Sequence, residues 1–420
     1  MDGDRQGSAE RPRTPFSRRH LLLGGAAAGL GASALVGADL LAGRGEPPAP
    51  APSPAPAPEE PDGGETVPFH GPHQAGVETP PQAHANFVAF DLAADVDRER
   101  TRRLLTLLTD DVAKLSQGDA ALADSEPELA YVPARLTVTF GFGPGLVERV
   151  APDAAPSWLR PLPEFAVDRL RDEWSDGDLL LQVCADDPLT VAHATRMLTK
   201  DVRAFGAVRW VQAGFRRARG SEAAGTTMRN LMGQVDGTVN TAPGTDDFER
   251  IVWDGGGNPD WLRGGTSLVI RRIAMDLDKW DRLDRSGREE SVGRRLADGA
   301  PLTGSREHDE PDFDAVTPLG FPVIAEFAHI RRARTDDPAE RIFRRAYNYD
   351  LPVTGSEGQD AGLVFASFQA DVDRQFVPIQ KRLDELDLLN EWISPIGSAV
   401  FAIPPGCEEG GFVGETLFDA

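Results

Sequence analysis

The sequence predicts an α+β protein in which one small unit occurs twice, with antiparallel sheets that lie side by side or face each other in a barrel-like arrangement. Two observations lead there. Short segments of alternating apolar residues are separated by amphipathic helical patterns in the order β-α-β-β-α-β. A strand, an Ala-Asp pair and a helix then recur: LLLQVCADDPLTVAHATRML at 179–198 is echoed by LVFASFQADVDRQFVPIQKRL at 363–383. Joins of this kind also occur in unrelated α+β proteins, so the order of elements has to carry the argument with them.

In the first unit, alternation marks a strand over 87–92, a 3.6-residue period a helix over 96–116, and apolar runs mark strands over 136–140 and 179–184. A helix over 188–204 and a strand over 207–213 complete a ferredoxin-like split unit. The pattern restarts after residue 225. Here a strand is expected over 267–276, a helix beginning over 278–285, a strand over 362–369 and a helix over 371–383. Glycine- and proline-rich stretches at 255–265 and 287–311 read as long loops, which in a compact domain are functional or disordered.

The N-terminal residues bound the rest. Ser17-Arg18-Arg19-His20-Leu21-Leu22 precedes a Gly/Ala-rich apolar run to Gly37 with no acidic residue in it. This is the pattern of a twin-arginine export signal, and the run is too weakly apolar and short for a bilayer span. Small residues around Ala38 suit cleavage, giving a signal over 1–38, a Pro/Ala-rich spacer over 39–66, and domains over 67–225 and 226–420. The expected location is therefore secreted, extracellular or periplasmic, with the twin-arginine machinery as a partner and no membrane span once the signal is removed.

Without residues 1–38, which hold five basic and three acidic side chains, the 44 Lys+Arg and 67 Asp+Glu fall to 39 and 64, a net charge of −25. Such a surface argues against nucleic acid and anionic membrane, and leaves open a preference for cationic substrates. Cys184 and Cys407 are the two cysteines, neither in a CxxC pair, so thiolate metal sites and a disulfide framework are not supported. Cys184 reads as a buried apolar residue, with a Cys184–Cys407 bridge as the alternative.

Three segments carry candidate chemistry. Gly233-Gln234-Val235-Asp236-Gly237-Thr238-Val239-Asn240 sets a carboxylate between glycines, as a catalytic acid would need. Among seven histidines, His20 is in the signal, His70, His73 and His84 are in the Pro-rich lead-in, His193 lies on a polar helix face and His308 in an acidic loop. His329 remains, in a segment read as helical over 324–332 with Ala325 and Ala333 one turn either side. It is a core histidine or a ligand; no HxxxH or HExxH accompanies it, so zinc is not supported, whereas an axial haem ligand needs one histidine only. In Phe343-Arg344-Arg345-Ala346-Tyr347 adjacent arginines sit among aromatics, which aims a guanidinium inward.

VPFHGPHQAG, GQVDGT, WLRGGTSLVIRRIAMD, GAPLTG, FRRAYNY, GLVFASFQAD and GSAVFAIPPG, spread in this order over residues 67–406, resemble the dye-decolorising (DyP-type) peroxidases, most closely their exported bacterial A-type branch. The resemblance implies two ferredoxin-like domains, one haem b per chain in the C-terminal one, and oxidation of dyes, phenols or other small aromatic reductants by hydrogen peroxide. It implies Asp236 as distal proton shuttle, His329 as the axial ligand to iron and Arg344 as distal arginine, with Arg345 in reserve because pattern alone does not separate the two. Asp371 becomes a candidate acceptor for the His329 imidazole N–H, against a plain helix cap. Arg294 is a candidate partner for a haem propionate. Ser394-Pro395-Ile396 departs from the family, in which a histidine often precedes the GSA block. An exported haem-binding protein of deferrochelatase type, working in iron acquisition, uses the same pocket and remains the alternative.

Overall fold

The computed structural model describes residues 62–253, 257–352 and 359–420. The twin-arginine segment and the spacer up to residue 61 lie outside the described residues. Among those described, no helix is long and apolar enough to cross a membrane.

The first repeat holds β1 (His84–Leu92), α1 (Arg98–Leu115), β2 (Thr137–Phe142), α2 (Pro144–Val150), β3 (Leu179–Ala185), α3 (Pro188–Val202) and β4 (Gly206–Phe215). Its two long helices start where side chains can satisfy free backbone N–H groups: Asp97 accepts from Arg100 N at 2.8 Å, and Asp187, before Pro188, accepts from Thr190 N at 2.8 Å. All neighbouring strands run antiparallel in the order β2-β3-β1-β4.

The second repeat supplies β5 (Thr266–Met275), β6 (Phe343–Arg344), β7 (Tyr347–Leu351), β8 (Asp360–Gln369) and β9 (Ile393–Ile403). β6 and β7 continue one register along β8, Phe343↔Phe368 and Tyr347↔Val364, and so occupy one strand position. The order β9-β5-β8-β6/β7 repeats that of the first half: fourth, first, third, second strand. Single residue pairs, Phe142↔Ala402 and Phe215↔Asn348, join the two half-sheets at their two seams and close a barrel. The described residues form one compact unit.

Side chains alternate in and out along each strand. Phe87, Leu180, Cys184, Leu268, Ile270, Tyr347, Val364 and Phe401 fill the barrel. The outward residues of the first half-sheet, among them Val88, Phe90 and Phe140, pack beneath Leu104, Leu108, Val112, Val191 and Leu198 of α1 and α3. Both cysteines are free thiols. His193 is buried rather than on a polar face, its Nε2 2.8 Å from Asp124.

The second repeat departs more from expectation. The helix expected to begin over 278–285 is two short ones, Leu277–Asp281 and Arg285–Val292, the second capped by Asp284, so the segment 287–311 opens as helix and not as loop. The helix expected over 371–383 is Phe376–Leu386. The helix expected over 324–332 is only His329–Ala333. Residues before Ala328 are non-helical, and the turn begins where Arg331 N and Arg332 N both reach Ala328 O at 3.0 Å.

Candidate functional site

The outward face of the second half-sheet is not covered by packed helices alone. Arg271, Ile273 and Met275 of β5, Leu363 and Phe365 of β8 and Arg344 of β6 form the floor of a cavity of about 830 Å³. The helix Phe376–Leu386, the turn His329–Ala333 and the segment 230–240 roof it. Its size lies within the usual range for small-molecule and cofactor pockets.

Asp236 enters this cavity on a tight backbone turn. Gly233 and Gly237 have φ of 82° and 119°, a region side chains disfavour, and nothing but that backbone conformation demands glycine there, since an added Cβ would meet no atom closer than 3.7 Å. The turn is knotted by Asn230, whose Oδ1 accepts from Met232 N and Gln234 N, each at 3.1 Å, while Asp236 N donates to Met228 O at 2.8 Å. Asp236, 10% exposed, receives Arg344 Nη2 at Oδ1 in an ion pair and the Asn230 amide at Oδ2, 3.3 Å away. Asn240 holds the other end. Its Nδ2 donates to Arg344 O at 2.6 Å and its Oδ1 accepts from Arg344 N at 3.0 Å, so one amide side chain clasps the arginine's backbone to the Asp236 turn.

Strand alternation separates the adjacent arginines. Arg344 points out into the cavity. Arg345 points the opposite way, is fully buried, and is consumed by Thr79 O and Gln82 Oε1; it does not belong to the site.

His329 opens the short turn and is 24% exposed, into the cavity. Its Nδ1 lies 2.6 Å from Oδ2 of Asp387, a carboxylate that is 1% exposed and whose Oδ1 accepts from Leu389 N at 3.0 Å. Burial disfavours the imidazolium, but the charge and hydrogen bond of Asp387 outweigh it and hold the His329 pKa above its ordinary value. Nδ1–H is therefore the donor to Asp387, and Nε2 makes no hydrogen bond among the described residues. Asp371, the acceptor expected from sequence, is elsewhere, and it is not the helix cap offered as the alternative either: its Oδ1 accepts from Arg374 N at 3.0 Å in the turn that precedes Phe376–Leu386, whose N-cap position is Gln375. Ala333 lines the cavity beside His329; Ala325 does not.

Arg294 also lines the cavity. Its Nη1 donates to Gly299 O at 2.7 Å and Glu307 O at 2.8 Å, leaving Nε and Nη2 without a partner among the described residues. Burial lowers its pKa. Sequence reading missed Asp387, Asn230, Asn240 and Arg271. Asp387 had one signal, a carboxylate set among Leu386, Leu388 and Leu389.

These residues fit a haem. One imidazole, oriented by a buried carboxylate, offers a nitrogen to iron. Arg294 offers donors to an acid group. Ile273, Phe365, Phe376 and Leu383 give apolar walls to a flat ring. Among the described residues there is no group of three His, Cys, Asp or Glu side chains placed to hold a metal ion by itself.

Comparison with known proteins agrees with this geometry. Residues 74–216 match the family Dyp-type peroxidase, N-terminal, and residues 227–408 match Dyp-type peroxidase, C-terminal. The dye-decolorizing peroxidase of Thermobifida fusca (strain YX) is 36% identical over 439 residues, covering 100% of this chain and 99% of that one. The deferrochelatase of Shigella flexneri serotype 5b (strain 8401) is 37% identical over 369 residues, 82% of this chain and 86% of that one. The crystal structure of a DyP-type peroxidase from Cellulomonas bogoriensis superposes with a TM-score of 0.83 at 54% identity, covering 86% of this chain and 100% of that one. The chain belongs to the DyP-type peroxidases, a family of haem enzymes.

Proposed function

We propose that this protein uses hydrogen peroxide to oxidise small aromatic reductants such as dyes and phenols, with Asp236 as the proton shuttle and one haem b per chain carried on His329. The observation that carries this reading is the Asp236–Arg344 ion pair in the same cavity as an Asp387-oriented imidazole. Bound haem supplies the redox chemistry, taking oxidising equivalents from peroxide and passing them to the reductant.

The chain's residues do the rest. Asp236 is fixed at Oδ1 by Arg344, so Oδ2 is the atom that takes a proton from one peroxide oxygen and returns it to the other, which leaves as water. The Arg344 guanidinium stabilises negative charge developing on the peroxide as the O–O bond lengthens. Asn240 keeps that guanidinium in place through the backbone. Asp387 holds Nδ1–H, orients the ring and raises its donor strength.

An absorbance spectrum of protein made with haem available, before and after stoichiometric peroxide, tests cofactor and reaction together. A Soret band that changes on peroxide addition is expected. Arg344→Leu should keep the band and lose most of the turnover; full turnover in that variant would sink the assignment.

A second reading is favoured by the similarity to a protein named deferrochelatase. It is read out by protoporphyrin fluorescence: iron released with the ring intact supports it, and peroxide turnover without free protoporphyrin excludes it. We further propose export by the twin-arginine route, supported by Arg18-Arg19 and the Gly/Ala-rich run behind them. Replacing both arginines with lysines should leave the protein in the cytoplasm.

A further inference from the structure

The cavity floor holds one more charged side chain whose hydrogen bonds are incomplete. Arg271 sits in the middle of β5, paired on both sides, and its side chain is 1% exposed. Nη2 is paired with Asp168, but Nε and Nη1 are buried and have no partner among the described residues. Its guanidinium lies over the Phe165 ring, 5.7 Å from centroid to Cζ, which occupies the face of the group and not its N–H edge. Leaving buried donors of a charged group unsatisfied is costly, so an oxygen acceptor is expected to complete them.

Asp168 belongs to a strap from the first repeat that is fastened against the second. Arg169 N and Arg171 N donate to Pro395 O and Ile396 O, each at 2.9 Å, so the strap runs beside β9. Asp384 accepts from Ala166 N at 3.0 Å and Val167 N at 2.9 Å, and its carboxylate is thereby engaged with the strap. Val167 closes this end of the cavity. Burial raises the pKa of Asp168 and lowers that of Arg271, a pair poorly served by solvent.

Arg271 and Arg294 are held by different segments. Arg271 is paired with Asp168 of the strap beside β9, whereas Arg294 donates to Gly299 O and to Glu307 O, and Thr238, beside the Asp236 turn, donates to the Glu307 carboxylate. The acid groups of a haem project from one edge of the ring, and Arg294 already offers donors to that edge. Arg271 is left for another anion.

We propose that Arg271 is a second anion-binding group of the cavity, which recognises the carboxylate or comparable oxyanion of an aromatic reductant where the strap closes the cavity. The proposal rests on the peroxidase reading and adds a substrate class to it. It also reverses the preference suggested by the acidic surface: the protein is negative overall, but its cavity selects anions.

The test compares 4-hydroxybenzoate with its methyl ester as reductants, and benzoate binding to the haem-loaded protein by calorimetry without peroxide. In the wild type the acid should be preferred to the ester. Arg271→Leu should abolish that preference and weaken benzoate at least about tenfold, as expected for a charge-assisted hydrogen bond. Because Asp168 is left unpaired in that variant, Asp168→Asn/Arg271→Leu serves as the second variant and should behave alike. Haem transfer to an apomyoglobin acceptor should keep its wild-type rate. Faster haem transfer with unchanged benzoate binding would overturn the proposal by placing the acid group on the cofactor, and so would no change in either. Failure of the peroxidase reading itself shows differently, as a wild type whose Soret band is unchanged by stoichiometric peroxide and which turns over neither the acid nor the ester.

Discussion

The two repeats share a strand order and differ in what they lay on it. In the first, the outward face of the sheet meets α1 and α3 through close-packed leucines and valines, leaving a solid core. In the second, the corresponding face carries Arg271 and Arg344, the long first helix is replaced by two short ones, and a cavity takes the place of the packed layer. One topology thus serves as scaffold and as site, according to whether the outward strand positions are apolar or cationic.

Breaking the site half should show first in kinetics. Asp236→Ala removes the proposed proton shuttle and should lower peroxide turnover by about 10²–10⁴ while the Soret band remains, measured by stopped flow. Breaking the scaffold half should show first in stability. Leu108→Ala opens a hole between α1 and the sheet and should cost about 2–5 kcal/mol in urea unfolding, with turnover per folded molecule unchanged.

The smaller effects sharpen the contrast. Asp387→Asn should weaken haem retention by about ten- to hundredfold, read as haem transfer to an apoprotein acceptor, since the imidazole loses its anionic partner. The smallest belongs to the scaffold again. Asp111 and Asp201 face each other from α1 and α3, each with an unpartnered buried Oδ2. Burial, with the Asp111 charge added, pushes Asp201 up to about 7. An acid whose folded pKa is raised stabilises the fold below its unfolded pKa, near 4, and that contribution is lost as pH rises to about 7. Asp201→Asn should flatten the melting temperature over that window and raise it at pH 8; an unchanged profile would show that the pair shares no proton.

Much of this contrast was legible in the residues. Alternation marked β1, apolar runs marked β2 and β3, the strands β5 and β8 were placed by their apolar segments, and the glycines around Asp236 marked a turn that only positive φ allows. What escaped was set by distance or by a missed element. Asp387 is 58 residues from His329, and nothing local tells a histidine which carboxylate will reach it. Asp371 is nearer in sequence, but its carboxylate folds back on Arg374 N in its own turn, as a short acidic side chain readily does. Arg344 and Arg345 were inseparable only because FRRAYNY was not read as a strand; once it is, alternate residues must face opposite ways. The segment before His329 followed a helical period over 324–332, but five of those nine residues bend elsewhere to let the histidine begin its turn.

The strand order also sets a timetable. β5 must pair with β9, residues 393–403, and the strap at 166–171 must lie beside that same strand and beneath Asp384 before the cavity has walls. As the chain leaves the ribosome, N-terminal residues first, no haem pocket exists until almost the last strand has emerged. Cofactor capture is then the closing event of folding. A chain that has taken up its haem has thereby reported that the strap at 166–171 and β9 are in place.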